Sequence, residues 1–428
     1  MSTDNEIIAQ AENLRKQQKL IEAVPLYQQV WQSSRNSFAA HWLIYCQRKS
    51  GHIDQANQIA REALTVYPDN TYIRTELGWV IYDCELKPAR EKGDIGRVLH
   101  FAREAVDISN NDLLVLKVAQ IVIKTAKNLN QPRWDVIAEW APKIKPNQLG
   151  DKKRVTEEGK EYMSEREEWY VSYSRALLEM QKYQTAREVA QQGIQEFANE
   201  IFLLRTAAWA RFNSGDKKLG AQEMRGLLKH PRCDWYVKAE LADMERQLGN
   251  IEEAYRLVCQ ALQSRQDDKY KLSSFETLAR LALQMDRLDV AAYHIALSKS
   301  VRTLEDWKIP ADLSILEQQV KSAYVNKQLE YPALPEDARK LSQTCIQIWK
   351  EGSSEGLLRF TGTVLCVSPE RKFTFIQPEG GGENVFVFLR ELPRDCAREG
   401  ARVEYSLEKS FDQKKNRESF RAIQVRKA

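Results

Sequence analysis

The sequence predicts a mainly α chain: an α-solenoid of helical hairpins followed by a small C-terminal five-stranded β-barrel. Three observations carry that prediction. Residues 1 to about 326 keep a helical apolar periodicity, interrupted by short stretches carrying Gly, Pro or Asn. Within that run a small residue recurs at a nearly fixed spacing, the mark of a repeat array. Beyond Gly356 the apolar period switches to two, the period of strands. A length of 428 residues suits several domains rather than one core. The expected division is a helical repeat array over 1–326, a helical and Gly/Ser linker over 327–356, and a β-domain over 357–428.

In the array, GHIDQANQIAREALTVYPDN shows the repeating frame: Gly51, then Ile53, Ala56, Ala60, Ala63 and Pro68. It returns as Tyr183, Ala186, Ala190 and Gly193, then as Gly249, Ile251, Ala254, Val258 and Ala261, and more loosely as Leu288, Ala291, Ile295 and Ser298. The small residue at the start of each second helix falls at Ala23, Ala56, Ala186, Gly220, Ala254 and Ala291. The gaps are 33 for the first pair and 34, 34 and 37 among the last four. Small side chains there let the two helices of a hairpin approach closely. Leu77 with Gly78, Leu241 with Ala242 and Leu278 with Ala279 then fill the gap to the next hairpin.

A period of about 34 residues resembles that of tetratricopeptide repeats, and the resemblance implies about six to eight hairpins over the first three quarters of the chain. From about Cys84 to Glu161 the register breaks. ELKPAREKGD reads as an insertion within one hairpin, and QLGDKKRVTEEGKEYM as a long polar loop. The most apolar run, LLVLKVAQIVIKTAK from Leu113, is interrupted by Lys117, Gln120 and Lys124 and reads as an amphipathic helix, so no membrane span is expected.

Next, YPALPEDARKLSQTCIQIWKEGSSEG holds a proline-flanked turn, a helix from about Glu336 to Lys350 and a Gly/Ser linker, with a domain boundary near Gly356. RFTGTVLCV, KFTFIQ, NVFVFL, ARVEYSLEK and SFRAIQVRK then read as five short strands, which suits an OB-type barrel. RKFTFI (Arg371 to Ile376) and VFVFL (Val385 to Leu389) resemble the paired ribonucleoprotein-type motifs of cold-shock domains. Thr361, Gly362, Val364, Pro378, Glu399 and Gly400 fit the same pattern. The resemblance implies binding of single-stranded RNA or DNA, with departures. Cys366 and Val367 stand where cold-shock domains usually carry an exposed Trp and Phe, Lys372 and Thr374 replace two glycines, Phe388 replaces a His, and Leu389 a Phe.

The same chemistry follows from the residues. Alternation sends Phe373 and Phe375 to one face of their strand, and likewise Phe386 and Phe388, so adjacent strands can expose four rings together. Such a platform stacks unpaired bases. Arg371 and Lys372 beside it, with Lys414, Lys415 and Arg417 in the loop before the last strand, would attract phosphates. Alternation does not distinguish inside from outside, so the alternative is that half of the rings fill the barrel and the domain contacts only protein.

On the array, the face of the first helices would carry Tyr45, Arg48, Arg175, Arg205, Trp209, Phe212, Tyr236 and Arg246. A mix of Arg and aromatic side chains suits a protein partner with an acidic or phosphorylated segment, or a nucleic-acid backbone. The alternative is that these side chains solvate helix faces or fill hairpin seams.

Charge divides unevenly. The whole chain is only +4, from 64 Lys and Arg against 60 Asp and Glu, and residues 356–428 hold 14 against 10, so the entire excess belongs to the β-domain. Seven scattered cysteines, never spaced CxxC, suggest a reducing cytoplasm and no zinc ribbon. There is no GxxxxGK[ST], HExxH or GxSxG, and His41, His52, His100, His230 and His294 are isolated from one another, so neither an enzyme nor a metal or other cofactor is expected. The expectation is a non-enzymatic adaptor whose helices bind a protein partner while the barrel binds single-stranded RNA or DNA. The alternatives are a pure protein-interaction scaffold and a regulatory subunit of a nucleic-acid-processing or defence complex. The architecture resembles accessory proteins of bacterial conflict systems.

Overall fold

The computed structural model describes residues 2–335, 337–368, 371–412 and 417–428. The chain divides into two compact units, residues 1–220 and 221–428. The first contains α1 (Ser2–Lys16), α2 (Leu20–Ser34), α3 (Ser37–Lys49), α4 (Ile53–Val66), α5 (Thr71–Ile81), α6 (Lys87–Glu91), α7 (Ile95–Ile108), α8 (Asp112–Lys127), α9 (Trp134–Trp140), α10 (Glu165–Glu179), α11 (Tyr183–Glu196) and α12 (Ile201–Asn213). Consecutive helices pack on each other as hairpins, α1 on α2, α3 on α4, α5 on α7, α10 on α11.

The small residues sit where the spacing predicts, at the hairpin seams. Ala23, Ala56 and Ala186 are fully buried. At Gly220 a Cβ would meet the Phe212 backbone N at 2.7 Å and Cα at 2.8 Å, so nothing larger than hydrogen fits. The tight turn between α3 and α4 takes Gly51 to φ +85°, a conformation that favours glycine.

The register break has two causes. A π-helical turn, Tyr82–Leu86, carries α5 straight into α6, lengthening the first helix of that hairpin before α7 returns. Further on, the polar segment after α9 pairs briefly with itself as β1 (Arg154–Val155) and β2 (Glu161–Tyr162), antiparallel.

The helix α13 (Lys217–Gly226) leads into the second unit, which continues with α14 (Trp235–Gln247), α15 (Ile251–Leu262), α16 (Leu272–Gln284), α17 (Leu288–Leu304), α18 (Ala311–Asn326) and α19 (Ala338–Gly352). Again the seam residues Ala254 and Ala291 are fully buried, as are Leu241 and Ala242 and Leu278 and Ala279. The helix α19 begins at Asp337, whose carboxylate accepts from the Arg339 and Lys340 backbone N–H groups; Glu336 lies outside the described residues. One face of α19, Leu341, Cys345 and Trp349, is buried against α15 and α17. Trp349 stacks on Phe275, ring centroids 5.8 Å apart and planes 10° apart, and donates its indole N–H to His294 Nε2 at 2.7 Å. The 327–356 segment therefore contributes a packed helix to the helical body.

The barrel consists of β3 (Arg359–Val364), β4 (Phe373–Pro378), β5 (Val385–Phe388), β6 (Arg402–Asp412) and β7 (Arg417–Lys427), closed in the order β3-β4-β5-β7-β6. All pairings are antiparallel except β5 with β7. Its core is small: Val364, Ile376, Val387, Val403, Tyr405 and Ala422 with a few neighbours. The mainly α fold class with a closed five-stranded barrel stands as the periodicities predict.

Candidate nucleic-acid interface

The site begins with the register of β4 and β5. Phe373 lies opposite Phe388, Thr374 opposite Val387, Phe375 opposite Phe386 and Ile376 opposite Val385. Directly opposed side chains share a face and successive ones alternate. Thr374, Ile376, Val385 and Val387 are the buried set, so the four phenylalanines all point outward. Their rings touch: Phe373 and Phe386 at 5.2 Å and 33°, Phe386 and Phe388 at 4.9 Å and 87°, Phe375 and Phe386 at 6.0 Å, Phe373 and Phe375 at 5.9 Å. Phe375 is 38 % exposed and the other three half-buried against one another. None belongs to the barrel core, which disposes of the alternative in which half of them fill it.

Cations gather at one end of this patch. The Leu389 backbone N–H donates to the Lys372 carbonyl at 3.0 Å, which brings the start of β4 and the end of β5 together. Arg371 and Lys372 are exposed there. So is Arg390, whose guanidinium lies 5.0 Å from the Phe388 ring centroid. Arg421 on β7, the parallel ladder partner of Phe386, lies at the opposite end of the four rings, where Phe386 faces Phe375. Sequence reasoning missed Arg390 and Arg421, because the first lies just past the motif and the second is brought in only by barrel closure. Lys414 and Lys415 lie outside the described residues, and Arg417 opens β7 opposite Asp412.

At the other end of β4 the charge is neutralised. Glu379 accepts from the Thr361 hydroxyl at 2.7 Å and from Arg402 Nε at 2.9 Å, which holds its carboxyl below the usual range. Arg426 is likewise tied to Glu404, 2.7 Å away.

The departures from the cold-shock pattern have physical roles. Thr374 points inward and its hydroxyl donates to the Cys366 carbonyl at 2.8 Å, so its side chain is accommodated within the barrel. Val367 and Leu389 pack against the barrel core, and Cys366 is exposed. Leu389, partly buried, packs against the core and leaves the platform to the four phenylalanines.

The candidate residues on the helices are placed differently from the expectation in two cases. Phe212 is fully buried beneath Gly220 and presents no surface. Arg48 is buried in an ion-pair cluster, with Nη2 3.0 Å from Glu76 and Nη1 3.0 Å from Asp83. Burial pushes the Glu76 carboxyl up and Arg48 opposes that shift. Neither residue can line a groove, because one is core and the other is spent on carboxylates. The other six are half-buried. Arg175 pairs with Glu179 and Arg246 with Asp243, Arg205 lies over Phe202, Tyr45 meets Trp42 edge-on at 5.4 Å, Trp209 meets Phe212 at 5.7 Å, and Tyr236 meets Trp235 at 6.3 Å. An aromatic belt on α3 and α5 went unread: Trp42 carries the Arg15 guanidinium at 3.6 Å, and Trp79 meets Tyr82 at 5.4 Å.

Among the described residues no helix is long and apolar enough to cross a membrane. No curated protein matches the chain. A family described as "Domain of unknown function (DUF7017)" matches residues 207–331. Among solved structures, a tetratricopeptide repeat protein from Parabacteroides merdae ATCC 43184 is similar at 12 % identity and TM-score 0.30, over 66 % of this chain and 100 % of that one. The Cut9-Hcn1 hetero-tetramer of APC/C is similar at 14 % identity and TM-score 0.36, over 74 % of this chain and 55 % of that one.

Proposed function

We propose that this protein is a non-enzymatic adaptor: its tetratricopeptide-like helices dock a protein partner, and its cold-shock-like barrel binds single-stranded RNA or DNA through the β4–β5 face. The observation that carries the reading is the outward cluster of Phe373, Phe375, Phe386 and Phe388 flanked by exposed Arg371 and Lys372. A soluble barrel gains nothing for its own core by turning four rings outward, whereas unpaired bases stack on such rings for about 1–3 kcal/mol each. Exposed cations beside them supply the phosphate attraction, and the helices offer surfaces for a partner, as in an accessory sensor or scaffold.

The test is titration of the full chain with labelled single-stranded RNA and DNA at two salt concentrations, beside the Phe373→Ala/Phe386→Ala variant. The expected result is salt-dependent binding that the variant loses while its melting transition persists. Absence of salt-dependent binding by the wild type, or equal binding by a folded variant, refutes the reading and leaves the protein-only scaffold in its place.

A further inference from the structure

Resting on that reading of the β4–β5 face, we propose that Arg390 is a nucleic-acid contact residue that extends the aromatic platform by one stacking position and anchors the adjoining phosphate. Three observations lead there. Arg390 is exposed, and its guanidinium lies over Phe388 with no carboxylate on it among the described residues, whereas Arg402 and Arg426 of the same barrel are each held by a glutamate. The Leu389 to Lys372 backbone bond sets Arg390 at the same end of the platform as Arg371 and Lys372. That end carries the exposed cations Arg371, Lys372 and Arg390, while the end beyond Phe375 closes with Glu379.

The chemistry follows from the shape of the group. A guanidinium is planar and weakly hydrated, so a base can stack on one face of it while the other rests on the ring. Its N–H groups lie in that plane, so a guanidinium that stacks can also donate to a phosphate oxygen. Phe388 meets Phe386 nearly edge-on at 87°, so its own stacking face turns away from the central pair. The guanidinium covers part of that ring, which makes Arg390 the next surface for a base following the strand off the platform.

The experiment compares full-length wild type, Arg390→Ala, Arg390→Lys and Phe373→Ala/Phe386→Ala, using labelled oligouridylate and oligothymidylate of about twelve nucleotides over a salt series. Arg390→Ala is expected to weaken binding about tenfold and to flatten the salt slope by about 0.7. Arg390→Lys is expected to keep the slope but not the affinity, because lysine has charge without a stacking plane. Thermal melting should be unchanged, since Arg390 makes no fold-bearing hydrogen bond among those described. Wild-type affinity and slope in Arg390→Ala, with the double variant defective, overturns this inference alone. Full rescue by lysine overturns the stacking role. No binding by wild type overturns it together with the proposed function.

Discussion

Phe386 is the node of the platform: it faces out by alternation, touches the other three rings, and pairs in the ladder with Arg421. Residues at such a node should dominate binding. Phe386→Ala should cost more affinity than Phe375→Ala in the same titration, by about tenfold if it removes one full stacking position. Arg48 depends on its buried carboxylate partner. Removing it leaves Glu76 buried and unpaired, and breaking a buried pair from one side costs about 3–5 kcal/mol, so Arg48→Ala should sharply lower the urea midpoint. The sequence placed Arg48 on a partner-binding helix face, which its burial overturns. Its carboxylate partners, 28 and 35 positions away in sequence, were not legible, because they meet it only when successive hairpins pack.

Among the elements, the hairpin seams and α19 are most exposed to test. Gly220→Ala exchanges a poor helix former for the best one, a gain of about 1 kcal/mol, yet its Cβ would strike the Phe212 backbone, and overpacking costs about 1–3 kcal/mol. Net destabilisation is expected, read as a lower melting temperature. For α19 the sensitive group is His294. Fully buried, with Nδ1 2.7 Å from the Val290 carbonyl and Nε2 accepting from Trp349, it is held neutral, and burial lowers its pKa to about 4. The unfolded chain binds a proton near pH 6.5 and the folded one only near 4, so stability is full above pH 6.5 and falls as pH drops from there to about 4. Denaturation midpoints measured across that window should show the decline, and His294→Phe should make it shallower, the remainder coming from His41, which burial also lowers to about 4. The sequence marked α19 as a helix from about Glu336 to Lys350 between a proline-flanked turn and a Gly/Ser stretch. It could not mark what the face covers, since His294, Phe275 and Cys259 lie far off in the chain.

Across the whole molecule, thiol chemistry reports the packing. Cys366 is exposed, while Cys46, Cys259, Cys345 and Cys396 are buried, so a thiol reagent should modify Cys366 first in the native protein. Shortening the chain at residue 336 should expose Cys259, because the seam at Gly352, where a Cβ would come 2.7 Å from its sulfur, is lost. Protection of Cys259 in the shortened chain would show that α19 is not what shields it. The second unit is further tied at its end: Gln424 Nε2 donates to Ser353 Oγ at 2.7 Å, and Arg359 donates to the Gln424 carbonyl at 2.8 Å. By itself the sequence determined the helical array, its seam residues, the change to strands near Gly356 and the four candidate rings, because these rest on local periodicity and side-chain volume. Tertiary structure alone decided that the rings face outward, that Arg390 joins them, and that Arg48 and Phe212 are withdrawn from the surface. Period two says that two faces alternate, and only barrel closure and hairpin stacking say which face meets water.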